Sequence, residues 1–213
     1  MSILNMKQIN EMVLSAYNSI ADSYAGAYSE NDETDSKYFD YFINHLPGKK
    51  ILDMGCGVGT NTSFLTNKGF KVTGIDASEN MIKNAQMLYP ALTFEKQNIL
   101  HTSFPNGFFD GIVLAYVIEH FNDEGLLQLR DEIMRLLSNG GLLFITSHEG
   151  DKEEIIPDPL NENVSIYYNF LTADKIDSLF SGFQRVSCYT RPSYGPEEFL
   201  CDKMFITYQK RAK

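Results

Sequence analysis

The apolar positions define the elements. Ile9, Met12, Val13, Ala16, Tyr17, Ile20, Ala21 and Tyr24 recur at alternating steps of three and one, which places one apolar stripe along an α-helix. Such a helix must lie on something. The acidic segment from Ser29 to Ser36 breaks the stripe, and a second short helix is predicted from Tyr38 to His45 before Pro47-Gly48 opens the first strand. Apolar runs and helical patterns then alternate: strand 50–54, helix 60–68, strand 70–75, helix 79–89, strand 92–96, strand 109–115, helix 123–137, strand 141–147. This alternation predicts an α/β fold with a parallel sheet covered by helices on both faces. The polar stretch Ser147 to Asn163, with Pro157 and Pro159, is long for a connection and is predicted to be a loop or lid on the substrate side. Helix 172–181 and strands 183–190 and 203–210 complete the pattern.

Composition narrows the class. With 213 residues, 43% of them hydrophobic, the chain can bury one substantial core, and a single domain is expected. A formal charge of −10, from 18 Lys and Arg against 28 Asp and Glu, argues against nucleic acid as a partner. The longest apolar run, Ile112 to Ile118, is far short of the ~18 residues of a membrane span. The amphipathic N-terminal pattern carries Lys7 and Glu11, so it does not read as a cleavable signal. Cys56, Cys188 and Cys201 lack metal or disulfide spacing and read as reduced thiols of a cytoplasmic protein; no metal site is expected.

The chemistry concentrates between positions 51 and 76. Ile51-Leu52-Asp53-Met54 leads into Gly55-Cys56-Gly57-Val58-Gly59-Thr60, where glycines let the backbone turn sharply and come within contact distance of a ligand. The helix pattern starting near Thr60 points its free N–H groups at that turn. Asp76 lies seventeen residues past Gly59, at the end of the next strand, where a carboxylate can accept both hydroxyls of a ribose. The spacing fails the dinucleotide fingerprint, which needs Gly or Ala at position 60 or Gly at 62, where Thr60 and Thr62 stand. That disfavours a nicotinamide oxidoreductase.

The pattern Asp-x-Gly-x-Gly-x-Gly resembles motif I of the class I S-adenosylmethionine-dependent methyltransferases. Gly74-Ile75-Asp76-Ala77-Ser78-Glu79-Asn80-Met81 is similar to the family's second-strand segment, Phe108 to His120 to its fourth strand and following loop, and Gly140 to Ile145 to its fifth strand. Tyr168 to Thr172 and Gly182-Phe183 look like its last helix and the exit into a final strand pair. The resemblance implies a Rossmann-like, doubly wound, seven-stranded and mostly parallel sheet with an antiparallel last strand. It also implies one methyltransferase domain: a helical cap over 1–46, a cofactor core over 47–148, a substrate-side connection over 149–171 and a C-terminal helix and strand pair over 172–213.

The cofactor so implied is S-adenosyl-L-methionine, with S-adenosyl-L-homocysteine as product. The resemblance places Asp53, Gly55, Cys56, Gly57, Gly59, Asp76 and Ala77 around its amino-acid and ribose parts, and Met81, Asn98 and Ile99 around its adenine. Ala115 and Tyr116 would turn carbonyls to the ammonium, and Tyr17 and Tyr24 would either close over the methionine carboxylate or serve as helix core. Asn98 departs from the family, which often has Asp there; an Asn accepts only through its carbonyl and carries no charge.

Because the sulfonium methyl brings its own electrophile, the protein's task is to orient an acceptor and exclude water. His120 is the candidate general base, or else a loop histidine bonded to backbone. The expected partner is a small-molecule acceptor, of an atom type and pathway the sequence does not specify; oligomeric state is equally open. A non-catalytic cofactor-binding subunit is the alternative.

Overall fold

The computed structural model describes residues 4–28, 33–193 and 201–211. In chain order the elements are α1 (Met6–Tyr28), α2 (Glu33–Ser36), a 3-10 turn (Lys37–Phe39), α3 (Asp40–His45), β1 (Lys50–Met54), α4 (Thr60–Asn67), β2 (Lys71–Asp76), α5 (Glu79–Leu88), β3 (Thr93–Lys96) and β4 (Phe109–Ala115). A second 3-10 turn (Ile118–His120), α6 (Asp123–Leu136), β5 (Leu137–His148), β6 (Lys152–Asp158), β7 (Asn161–Phe170), α7 (Ala173–Leu179), β8 (Phe183–Arg191) and β9 (Lys203–Lys210) follow. Seven strands form one sheet in the order β3-β2-β1-β4-β5-β9-β8. The pairs from β3 through to β5 are parallel, and β9 runs antiparallel to both β5 and β8. This is the doubly wound sheet with an antiparallel last strand that the motifs implied.

Strand side chains alternate between two cores. Ile51, Val113 and Phe144 face Phe39 of the first 3-10 turn, Phe42 of α3 and Leu65 of α4 on one side. Leu52, Ile112, Leu114 and Ile145 face Leu129, Ile133 and Ile176 of α6 and α7 on the other. Helix starts are fixed by side-chain caps: Ser78 accepts from the Met81 N–H, Asn122 from Gly125 and Thr172 from Lys175.

The region 147–163 differs from expectation. β5 runs on to His148, and Lys152–Asp158 pairs antiparallel with Asn161–Phe170 as a separate hairpin, so the segment is not a structureless loop. Tyr168 and Phe170 likewise end β7 rather than belonging to the last helix, which starts at Ala173. The reason is that β6 is largely exposed and carries Lys, Glu and Pro157, a composition tolerated on an edge strand, so no apolar alternation marked it. Its partner is held by burial of Ile166, Tyr168 and Phe170 against Ala16, Ile20 and Ala21 of α1. Within the acidic stretch 29–36, residues 29–32 lie outside the described residues, and Glu33–Ser36 forms a helical turn.

Two close contacts set the β1–β4 region. A Cβ on Gly111 of β4 would lie 2.6 Å from Leu46 Cδ2 and 2.7 Å from Phe42 Cζ, so α3 seats directly on bare backbone. At the end of β1, Asp53 is 1% exposed and accepts a 2.7 Å hydrogen bond from Thr62 Oγ1 in α4, joining strand to helix. Burial pushes its carboxyl up to about 6, partly offset by the Thr62 bond.

Both contacts yield measurable outcomes. Gly111→Val should destabilise the fold by about 1–3 kcal/mol in urea unfolding, because side chains must leave their rotamers to admit it; an unchanged midpoint would mean α3 is loosely seated. Asp53 holds its proton more tightly folded than unfolded, so its contribution to stability falls as pH rises from about 4 to about 6 and stays lost above that. Asp53→Asn should therefore gain stability relative to the parent at pH 7, on the order of 2 kcal/mol, and the difference should shrink toward pH 4.

Candidate functional site

The strand order reverses between β1 and β4, and the turns after β1, β2 and β4 converge there. After β1 the chain bends through Gly55 (φ 75°), Gly57 (φ 52°) and Gly59 (φ 88°), all in the left-handed region that glycine occupies without strain. The N–H groups of Gly55 and Cys56 both donate to the Ile75 carbonyl, at 2.8 and 2.9 Å, which pins the turn to the end of β2. A Cβ at Gly55 would lie 2.5 Å from Val117 Cγ2, so the loop after β4 presses on the same turn.

Asp76 binds these turns together. One carboxylate oxygen accepts from the Gly57 N–H at 3.0 Å, the other from the Ser78 N–H at 2.8 Å. Burial raises its pKa, and the N–H groups of Ser78, Gly57 and Ala77 work against that rise. Three backbone donors on the carboxylate's four lone-pair positions leave acceptor capacity for a ligand hydroxyl.

Around the carboxylate lies a cavity of about 430 Å³. Gly55, Gly57, Asp76 and Ala77 form its floor, Met81, Gln97, Asn98 and Ile99 one end, and Ala115, Tyr116, Val117, His120 and Phe121 the other wall. α1 roofs it with Asn10, Val13, Leu14, Tyr17 and Tyr24. Of the residues expected at the cofactor, Gly55, Gly57, Asp76, Ala77, Met81, Asn98, Ile99, Ala115, Tyr116, Tyr17 and Tyr24 line this space, as does His120. Asp53, Cys56 and Gly59 stand behind the lining: Asp53 holds Thr62, the Cys56 thiol packs toward Gly74, and Gly59 starts α4 beneath Phe94. Tyr24 closes over the glycine turn, where a Cβ on Gly57 would be 3.7 Å from its ring.

Tyr116 is the described non-glycine residue with left-handed backbone, at φ 57°. Holding that conformation costs about 1–3 kcal/mol and turns the end of β4 toward the cavity. Its N–H is fixed by the Thr146 carbonyl at 2.9 Å, and its ring tilts against His148 at 4.9 Å.

The His120 ring is fixed at both nitrogens. Nδ1 lies 3.0 Å from the Tyr167 carbonyl, which can only accept, so Nδ1 carries hydrogen. Burial lowers the imidazole pKa, so the ring is neutral and Nε2 accepts from the Tyr17 hydroxyl at 2.8 Å. Both sequence readings of His120 thus meet in one residue: it bonds backbone and still lines the cavity. Burial likewise raises Tyr17 well above the usual phenol range, which keeps the donor protonated.

Behind this wall, Glu119 is 1% exposed and accepts from Ser147 Oγ at 2.9 Å, His148 N at 3.0 Å and His148 Nδ1 at 2.8 Å. Burial would raise its pKa, but His148 and the converging donors outweigh that and hold it below the usual carboxylate range. This network had no sequence signal beyond the adjacency Glu119-His120. Within the 149–171 stretch expected on the substrate side, Tyr168 packs 5.0 Å from the His120 ring.

Among the described residues no three His, Cys, Asp or Glu side chains are grouped to hold a metal ion, and no helix is long and apolar enough to cross a membrane. A second hollow, between α1 and α5, is an open groove whose Asn18, Asp22, Asn80 and Asn84 side chains are bonded to one another or to the opposite backbone.

Comparison with known proteins agrees with this geometry. Residues 51–141 match the family model described as a methyltransferase domain. The chain is 30% identical over 115 residues to 2-methyl-6-phytyl-1,4-hydroquinone methyltransferase of Synechocystis, covering 52% of this chain and 36% of that protein. It is 28% identical over 157 residues to ubiquinone biosynthesis O-methyltransferase of Haemophilus ducreyi, covering 67% and 66%. It therefore spans only about a third to two thirds of these curated relatives. Among solved structures, 1,6-didemethyltoxoflavin-N1-methyltransferase of Burkholderia thailandensis, with 1,6-didemethyltoxoflavin and S-adenosylhomocysteine bound, superposes with a TM-score of 0.77 at 17% identity, covering 99% of this chain and 92% of that one. A methyltransferase of Methanosarcina mazei gives 0.72 at 20% identity over 80% and 96%. With the sheet order, the glycine turn and the acid at position 76 in place, residues 51–141 form the methyltransferase domain that the family model describes, on a sheet with the fold of the S-adenosylmethionine-dependent methyltransferases.

Proposed function

We propose that this chain transfers the methyl group of S-adenosyl-L-methionine to a small, ring-bearing acceptor molecule. The observation that carries the reading is the bridging carboxylate of Asp76 at the rim of a 430 Å³ cavity, beside a turn whose Gly57 brings bare backbone to the surface. The lining fits the cofactor chemically. Asp76 offers its remaining acceptor capacity to the ribose hydroxyls, Met81 and Ile99 offer apolar faces to a purine, and the Ile99 N–H, which has no partner among the described residues, offers a donor. When bound, S-adenosylmethionine supplies the electrophilic methyl on its sulfonium, so the protein need not supply a nucleophile.

The remaining work falls to the chain's own side chains. Tyr17, Tyr24, Tyr116 and Phe121 surround the wall opposite the base end and favour a flat acceptor. Val13, Val117 and the α1 roof exclude water. The Nε2 lone pair of neutral His120 accepts from the Tyr17 hydroxyl, so a proton leaving the acceptor as it is alkylated would pass to the Tyr17 oxygen while the Tyr17 proton passes to Nε2, and the nearby Glu119 carboxylate favours the resulting cation. The acidic composition, with 28 carboxylates against 18 basic side chains, agrees with a metabolite rather than a nucleic acid as partner.

Two measurements test this reading. Calorimetry with S-adenosylhomocysteine should give micromolar binding, about −8 kcal/mol, and Asp76→Ala should lose about 1.5–3 kcal/mol of it through the missing charge-assisted bonds. No heat with the parent would falsify the reading. In a panel of phenols, catechols and heteroaromatic amines assayed for S-adenosylhomocysteine release, His120→Gln should lower turnover by roughly 10²–10⁴ while cofactor affinity stays within about threefold. Equal loss of both would reduce His120 to a packing residue.

A further inference from the structure

The end of the cavity assigned to the purine carries two uncommitted donors. Asn98, exposed at the rim, has its side-chain carbonyl committed: Oδ1 accepts from the Leu100 N–H at 2.9 Å. The orientation of this amide is not arbitrary, because an N–H group requires an acceptor opposite it. The Asn98 backbone carbonyl is also spent, on the His101 N–H at 3.1 Å. Gln97 Oε1 is taken by the N–H and hydroxyl of Ser103, at 2.9 and 3.3 Å. Two donors at this end, the Asn98 Nδ2 group and the buried Ile99 N–H, have no hydrogen-bond partner among the described residues. Asn10, the amide on the opposite roof, is likewise without a bond there and can turn either end inward.

An adenine edge carries a 6-amino donor flanked by the N1 and N7 acceptors, whereas a 6-oxo purine carries an acceptor at position 6 and a donor at N1. Against two donors, adenine satisfies one through N1 and leaves its amino group facing Nδ2. The 6-oxo base satisfies Nδ2 through its oxygen and forfeits N1. One gain and one loss of equal kind offset.

Resting on the assignment of this cavity to S-adenosylmethionine, we propose that the site does not read the 6-amino group, and that it holds the 6-oxo analogue S-inosyl-L-homocysteine about as tightly as S-adenosyl-L-homocysteine. Asn98 is the residue that sets this tolerance. A carboxylate at the same position would keep one oxygen on the Leu100 N–H and turn a second acceptor to the base, welcoming an amino group and repelling an oxo group.

The test is calorimetric titration of the full chain with both homocysteine nucleosides, and needs no methyl acceptor. The parent should bind the two with dissociation constants within about threefold of each other. Asn98→Asp should bind the adenosyl compound better than the inosyl compound by about thirtyfold, through one bond gained and one repulsion added. Asn98→Ser, which can still cap Leu100 but lacks the amide donor, should disfavour the inosyl compound by about fivefold. A parent preference for the adenosyl compound of tenfold or more, or an unchanged ratio in Asn98→Asp, overturns the inference while leaving the cofactor assignment intact. Failure of both compounds to bind the parent removes the assignment itself, and the inference with it.

Discussion

The structure turns on one half-buried carboxylate. Asp76 is the only acceptor within reach of both the Gly57 and Ser78 N–H groups in the described bonds, and it fastens the turn leaving β1 to the turn leaving β2. Without it the two bends would be joined only through the Ile75 carbonyl. The cost of placing a charge there is partly offset by three backbone donors, so the residue serves as a structural tie and still faces the cavity. A parallel sheet needs crossover helices between these strands, so the tie also registers α4 and α5 relative to each other.

Around that point, polar groups are arranged in layers of decreasing exposure. The floor consists of backbone and Asp76. The wall is a chain of committed hydrogen bonds running from Tyr17 through His120 to the Tyr167 carbonyl, with the Glu119, Ser147 and His148 cluster behind it. The Tyr167 carbonyl can only accept, which fixes hydrogen on His120 Nδ1, and burial keeps the ring neutral so that Tyr17 donates to Nε2. The wall is rigid where chemistry would need it to be.

Much of this was legible in the residues. The alternation of apolar strands and amphipathic helices from 50 to 148 has strong periodicity, and its elements fall within a few residues of expectation. Glycines with left-handed backbone followed by an acid at the end of the next strand mark the floor of the cavity unambiguously, since few other needs produce that combination. What was hidden depends on contacts distant in sequence. The β6–β7 hairpin is polar on its outer strand and buried on its inner one only because α1 covers it, and Pro157 and Pro159 read as loop punctuation. The role of Asp53 was displaced from ligand contact to strand–helix joint for the same reason: Thr62 had no mark in the sequence as its partner. The commitment of Asn98 to Leu100 likewise depends on a local turn that composition does not announce.

The packing of α1 against β7 brings together parts of the chain that lie on opposite sides of the segment 51–141 shared with the family model. Selection can therefore reshape the roof and the flank of the chamber through two stretches of sequence that lie outside the glycine turn and Asp76. Changes in one must be answered in the other, since Tyr17, Ile20 and Ala21 share a surface with Ile166 and Tyr168. Coevolution between these remote stretches, rather than drift near the glycines, is how this architecture would exchange one guest molecule for another.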